Sequence, residues 1–65
     1  MASVEISTIY RHHTVSAVLI DDSNERAIWV PRSLIQDEPD FSMLKEGQAI
    51  TLDVAEWWAK REGLI

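Results

Sequence analysis

Sixty-five residues, a net charge of −5, no cysteine and two histidines adjacent in sequence make room for a single domain over residues 1–65. This composition excludes disulfide staples and thiolate metal sites, and neighbouring imidazoles cannot supply the four spaced ligands of a structural zinc centre. Eleven Asp and Glu against six Lys and Arg, spread along the chain, also exclude the broad basic face on which duplex DNA binding draws.

A hydrophobic content of 46% belongs to a folded rather than a disordered chain. A chain this short hides only roughly 60% of its unfolded-state surface, so its core must be dense or a partner must add area. Trp29, Trp57 and Trp58 supply large apolar surface. No apolar run approaches the roughly 18 residues that cross a bilayer, and the N-terminus lacks the order of a signal peptide. The expectation is a soluble cytoplasmic protein with no membrane partner.

In chain order, residues 4–10 partly alternate, with Val4, Ile6, Thr8 and Tyr10 on one face, and predict a strand. Arg11-His12-His13 reads as a polar break. Residues 14–21 predict a second strand and 26–30 a third, joined as a hairpin by Asp22-Ser23-Asn24-Glu25, where short side chains bond local backbone and Asn24 tolerates positive φ. Pro31 ends that strand. Arg32 to Ile35 reads as one helical turn, with Leu34 and Ile35 plugging one end of a small barrel. Residues 36–40 form an acidic loop, and 41–44 carry no assignable pattern. Lys45-Glu46-Gly47 is a turn with Gly47 at positive φ. Residues 48–53 are a strand that points Ile50 and Leu52 inwards.

The final segment carries the clearest local signals. Asp53 as N-cap and Glu56 three residues on make a capping box. Lys60 and Arg61 suit the negative end of the helix dipole. Gly63 fits a left-handed C′ position, from which Leu64 closes onto Trp58 or Ala59. A helix over residues 54–62 follows, too short to persist unpacked. The fold class is mainly β with one short C-terminal helix, a small antiparallel SH3-like or OB-like barrel.

Arg-Ala-Ile-Trp-Val-Pro-Arg-Ser-Leu-Ile at 26–35 and Glu-Trp-Trp-Ala-Lys-Arg-Glu-Gly-Leu-Ile at 56–65 resemble a family of short bacteriophage and prophage proteins. Their shared pattern runs Trp-Val-Pro-x-Ser-x-Ile, then Glu-Trp-x-Ala, then Gly-Leu. The resemblance covers about half of the chain, mainly after residue 25, and its motifs are structural rather than catalytic. Members tend to be encoded among phage DNA-metabolism genes, so the resemblance implies a nucleic-acid-related or host-takeover setting in the host cytoplasm.

No serine stands beside a base, and His12-His13, the only acid–base candidate near neutral pH, reads as exposed loop. Asp37, Glu38 and Asp40 resemble hard-metal ligands, but Pro39 interrupts them and no loop glycine accompanies them, so they read as a solvated acidic loop. Gly47 and Gly63 are the only glycines, which excludes a phosphate-binding loop. The expectation is a protein that is not an enzyme and needs no metal or cofactor.

Two binding surfaces compete. Tyr10, Arg11 and Arg32, with Trp29, Phe41 and Arg26 behind them, would stack and track a nucleic acid, single-stranded in preference to duplex. The competing reading places Trp29 and Phe41 in the core and is the one favoured for Trp29, which leaves Tyr10 and Arg32 as the surface candidates. Trp57 and Trp58 point about 100° apart on a helix, so either one packs inwards while the other, beside Lys60 and Arg61, anchors a partner, or both lie half-buried along one wide apolar stripe of the same domain. The expected function is a non-catalytic phage-type accessory binding module associated with nucleic-acid metabolism. The alternatives are an inhibitor or adaptor of host machinery, with Asp37, Glu38 and Asp40 as an acidic mimic of nucleic acid that meets a host or phage protein, and a structural homo-oligomer formed through the C-terminal helix.

Overall fold

The long first strand organises the domain. The computed structural model describes residues 2–65. Five strands form one antiparallel sheet: β1 (Ser3–His13), β2 (Ala17–Asp21), β3 (Ala27–Pro31), β4 (Ile35–Gln36) and β5 (Ala49–Ala55), followed by the helix α1 (Glu56–Arg61). Their spatial order is β3-β2-β1-β5-β4. β1 pairs with β5 along residues 3–9 and with β2 along residues 9–13. β3 and β4 are the two edges and do not pair with each other, so the sheet is not closed into the expected barrel.

The polar break expected at residues 11–13 is part of β1. The register shifts between Tyr10 and His12, leaving Arg11 as the extra residue of a bulge. One inserted residue lets the chain bend while both its edges stay paired. On the inward face, Ile6, Thr8 and Tyr10 alternate as the period of a strand requires, and they meet Val18, Ile20, Val30, Ile35, Leu52 and Val54. The Thr8 hydroxyl in this interior donates to the Ile50 carbonyl at 3.3 Å.

The β2–β3 turn is built on Asp22, which is 7% exposed. Its carboxylate accepts the N–H groups of Asn24 at 2.8 Å and Arg26 at 2.9 Å, and the Arg26 Nε at 2.9 Å. These bonds wrap the backbone so that the positive φ falls on Glu25, at 62°, rather than on Asn24. Gly47 takes φ 90° as expected, and its N–H donates to the Tyr10 carbonyl at 2.7 Å. Arg32–Leu34 and Phe41–Met43 are single 3₁₀ turns.

The helix begins later than its sequence suggests. Asp53 does not cap it: Asp53 is a strand residue paired with Glu5 on one side and Gln36 on the other. β5 runs on through Ala55, and the residue before α1 offers no side-chain cap. The Glu56 N–H instead donates to the Ala2 carbonyl at 3.0 Å, so the backbone just before β1 replaces the capping box. The far end follows the local signals. Leu64 N–H donates to Ala59 at 2.9 Å and Gly63 N–H to Lys60 at 3.2 Å, the two bonds of a Schellman motif, with Gly63 at φ 74°. Arg26 Nη2 donates to the Glu62 carbonyl at 3.1 Å and ties this helix end to the β2–β3 turn. Among the described residues no helix is long and apolar enough to cross a membrane.

A Cβ at Gly63 would meet nothing nearer than Arg26 Nη2 at 3.9 Å, so Gly63→Ala tests backbone strain alone. It should cost about 1–2 kcal/mol in urea unfolding, the penalty of a left-handed L-residue. The Asp22 carboxyl sits below its ordinary value of 3.8, chiefly through the Arg26 N–H. A lowered carboxylate stabilises the fold fully above its unfolded value and loses that effect as pH falls through the folded one. The urea midpoint should therefore decline below about pH 4, and Asp22→Asn should flatten part of that decline.

Candidate functional site

α1 separates its two tryptophans. Trp58 is 6% exposed and joins Ala59 in the core, whereas Trp57 is 49% exposed. Lys60 and Arg61 lie three and four residues beyond Trp57, on its face of the helix, and both are exposed. Each has an acidic neighbour: Lys60 bonds Glu56 at 3.0 Å, and Arg61 lies 4.0 Å from Glu62. Of the residues expected to bind a partner, Trp57, Lys60 and Arg61 share one surface and Trp58 does not belong to it.

Tyr10 is not a surface residue. It is 5% exposed, because it continues the inward parity of Ile6 and Thr8 along β1. Its ring stacks on Phe41 with centroids 6.3 Å apart, and its hydroxyl bonds the His13 Nδ1. The bulge at Arg11 makes this meeting possible: three residues apart on a regular strand, Tyr10 and His13 would face opposite ways. Neither histidine is in a loop. His12 faces outward opposite Leu19, and His13 packs 5.8 Å from Phe41.

Arg32 closes the same cluster. Its guanidinium lies 5.1 Å over the Phe41 ring, donates to the Thr14 carbonyl at 3.0 Å and pairs with Glu38 at 2.7 Å. Arg32 and Glu38, expected on two opposed surfaces, are thus each other's partners. The Arg32 hydrogen bond holds the Glu38 carboxyl below the usual range, and Glu38 raises Arg32 in return. Asp40 is also structural. It accepts from the Ser42 hydroxyl and N–H to cap the turn Phe41–Met43, and both bonds lower its pKa. Asp37 is exposed at φ 49°. Arg11 bonds Asp21 at 2.6 Å, which raises the pKa of the guanidinium.

Five of the six Lys and Arg therefore lie within 4.0 Å of a carboxylate: Arg11, Arg26, Arg32, Lys60 and Arg61. Glu5 and Asp53, cross-strand partners, line a shallow groove of about 230 Å³ with Asp37. Among the described residues no three His, Asp or Glu side chains are grouped to hold a metal ion.

Two exposed apolar residues escape the sequence reading. Trp29, expected in the core, is 50% exposed. Ile28 and Val30 take the inward positions of β3, and Trp29 faces outward opposite Leu19. All of Ala27 to Val30 is apolar, so no alternation in the sequence marks the outward member. Val15, expected within a strand, is 94% exposed in the β1–β2 turn, where the Thr14 hydroxyl oxygen accepts the N–H groups of Ser16 and Ala17. The signal for this turn is Thr14 itself, whose short hydroxyl side chain can bond backbone N–H groups two and three residues on.

No protein-family model, curated protein or solved structure matches the chain.

The division between the tryptophans is directly measurable. Trp58→Ala should destabilise the domain by about 3–5 kcal/mol, as for a large aromatic removed from a core. Trp57→Ala should cost less than about 1 kcal/mol, in the range of surface substitutions. Urea unfolding monitored by circular dichroism compares the two.

Proposed function

We propose that this protein is a non-catalytic protein-binding module, an adaptor or inhibitor that receives its partner on the outer face of α1. The observation that carries the reading is Trp57, half-exposed beside Lys60 and Arg61 while its neighbour Trp58 is committed to the core. A large aromatic ring only partly covered, on a rigid element, is the anchor that protein interfaces concentrate their energy on.

Charge supports a protein partner over a nucleic acid. Tyr10 is buried, and Arg11 and Arg32 are held in ion pairs, so three members of the expected stacking surface are otherwise engaged. The net charge of −5 opposes a polyanion and favours a partner with basic groups. A phage accessory role in a bacterial cytoplasm belongs to the same proposal, supported by the Trp-Val-Pro and Glu-Trp-x-Ala resemblance. So does an SH3-like or OB-like kinship, supported by five antiparallel strands around a bulged, shared first strand.

The test sets immobilised protein against a bacterial lysate and, separately, against labelled DNA. A captured protein that is retained by the wild type and lost with folded Trp57→Ala is the expected result. No binding of single-stranded DNA is expected up to roughly 100 µM, the weak end of non-specific nucleic-acid affinity. Salt-sensitive DNA binding that disappears in Trp57→Ala would replace this reading with the nucleic-acid one. Capture unchanged by Trp57→Ala would remove α1 as the surface.

A further inference from the structure

The free edge of β3 has a definite hydrogen-bonding parity. At one end of the hairpin the Asp22 N–H donates to the Arg26 carbonyl at 3.0 Å, and at the other the Arg32 N–H donates to the Ser16 carbonyl at 2.9 Å. Bonded pairs in an antiparallel ladder recur at every second residue, so Ile28 and Val30 turn their backbone groups towards β2. Ala27, Trp29 and Pro31 turn theirs outward. β3 is terminal in the sheet, and among the described residues no backbone group pairs with the N–H of Ala27 or Trp29. Both residues are exposed. An open edge of this kind is a template for another strand.

We propose that β3 pairs antiparallel with β3 of a second copy of this chain, about a two-fold axis at Trp29. That register matches the outward groups to themselves. The two Trp29 residues exchange N–H···O=C bonds, and each Ala27 N–H reaches the Pro31 carbonyl of the other copy. Pro31 has no N–H to offer, and at this position only its acceptor is required. Centring the pair on Pro31 instead would oppose two residues without donors. A two-fold contact must be self-complementary in this way.

Charge points to the same occupant. Two chains of net charge −5 repel each other unless they meet where neither carries charge. Residues 27–31 carry none. Arg26 and Arg32 at the two ends are already neutralised by Asp22 and Glu38. In the paired form each end brings Arg26 with Asp22 against Arg32 with Glu38 of the other copy, two neutral pairs. The half-exposed Trp29 rings become cross-strand neighbours on the outward face, where aromatic pairs add stability. Two five-residue strands bury less than the roughly 800 Å² per partner of a standard interface, so the dimer is a weak, reversible one.

This contact is made by β3 rather than α1, and the experiment keeps the two apart. Sedimentation velocity from about 10 µM to 1 mM should show reversible dimerisation, with the amide exchange of Ala27 and Trp29 slowing as concentration rises. Trp29→Lys places like charges across the axis and should weaken the dimer at least tenfold, with the circular dichroism spectrum unchanged. Ala27→Pro removes an outward donor without touching a bond to β2, and should weaken it as well. A strict monomer at the highest concentration overturns the proposal. So does a dimer insensitive to Trp29→Lys, or one abolished by Trp57→Ala alone, which would place the contact on α1.

Discussion

Hydrogen bonds run from both edges of β1, to β5 along residues 3–9 and to β2 along residues 9–13. The rest of the fold hangs on that double pairing. A chain of 65 residues with no disulfide has little interior to draw on, and a strand shared by both halves of the sheet turns them into one cooperative unit. The bulge at Arg11 makes the sharing geometrically workable. It also resets the parity of the strand, so that Tyr10 and His13 both face Phe41 and the Arg32 guanidinium can close over them.

The charged residues then serve the fold before they serve any ligand. Asp22 builds the β2–β3 turn with Arg26, Arg32 and Glu38 fasten the loop after β4 to the aromatic cluster, and Asp40 caps a 3₁₀ turn. Exposed pairs of this sort contribute little stability each, but they set where the loops lie. They also remove most of the free cationic charge that a nucleic-acid surface needs. Two large aromatic rings are left half-exposed at the surface, Trp57 on α1 and Trp29 on the edge strand.

Much of the fold was legible because it depends on local chemistry. The hairpin from β2 to β3, the positive φ at Gly47 and the Schellman ending at Gly63 follow from short-range patterns. The helix start did not follow, because Asp-x-x-Glu satisfies a capping box and equally satisfies a strand entering a helix. The Ala2 carbonyl, distant in sequence, chose between them. The candidate site was legible in part. That Trp57 and Trp58 must diverge is a property of any helix, yet which one is covered depends on where the sheet lies. Tyr10 and Trp29 exchanged their expected places for different reasons. Tyr10 follows the inward parity of Ile6 and Thr8 that the alternation of β1 already carries, whereas β3 is apolar on both faces, and the outward place of Trp29 was decided by its pairing with β2.

The sequence by itself determined a mainly β chain with one short C-terminal helix, its glycine stop, and the absence of thiol chemistry, since these depend on residue type and on spacing within a few positions. Tertiary structure alone decided the open sheet, the bulge that lets β1 be shared, the partner of each charge, and the outward placement of Trp29 and Trp57. Those depend on register between segments far apart in the chain, and a shift of one residue in that register turns every side chain of a strand to the opposite face.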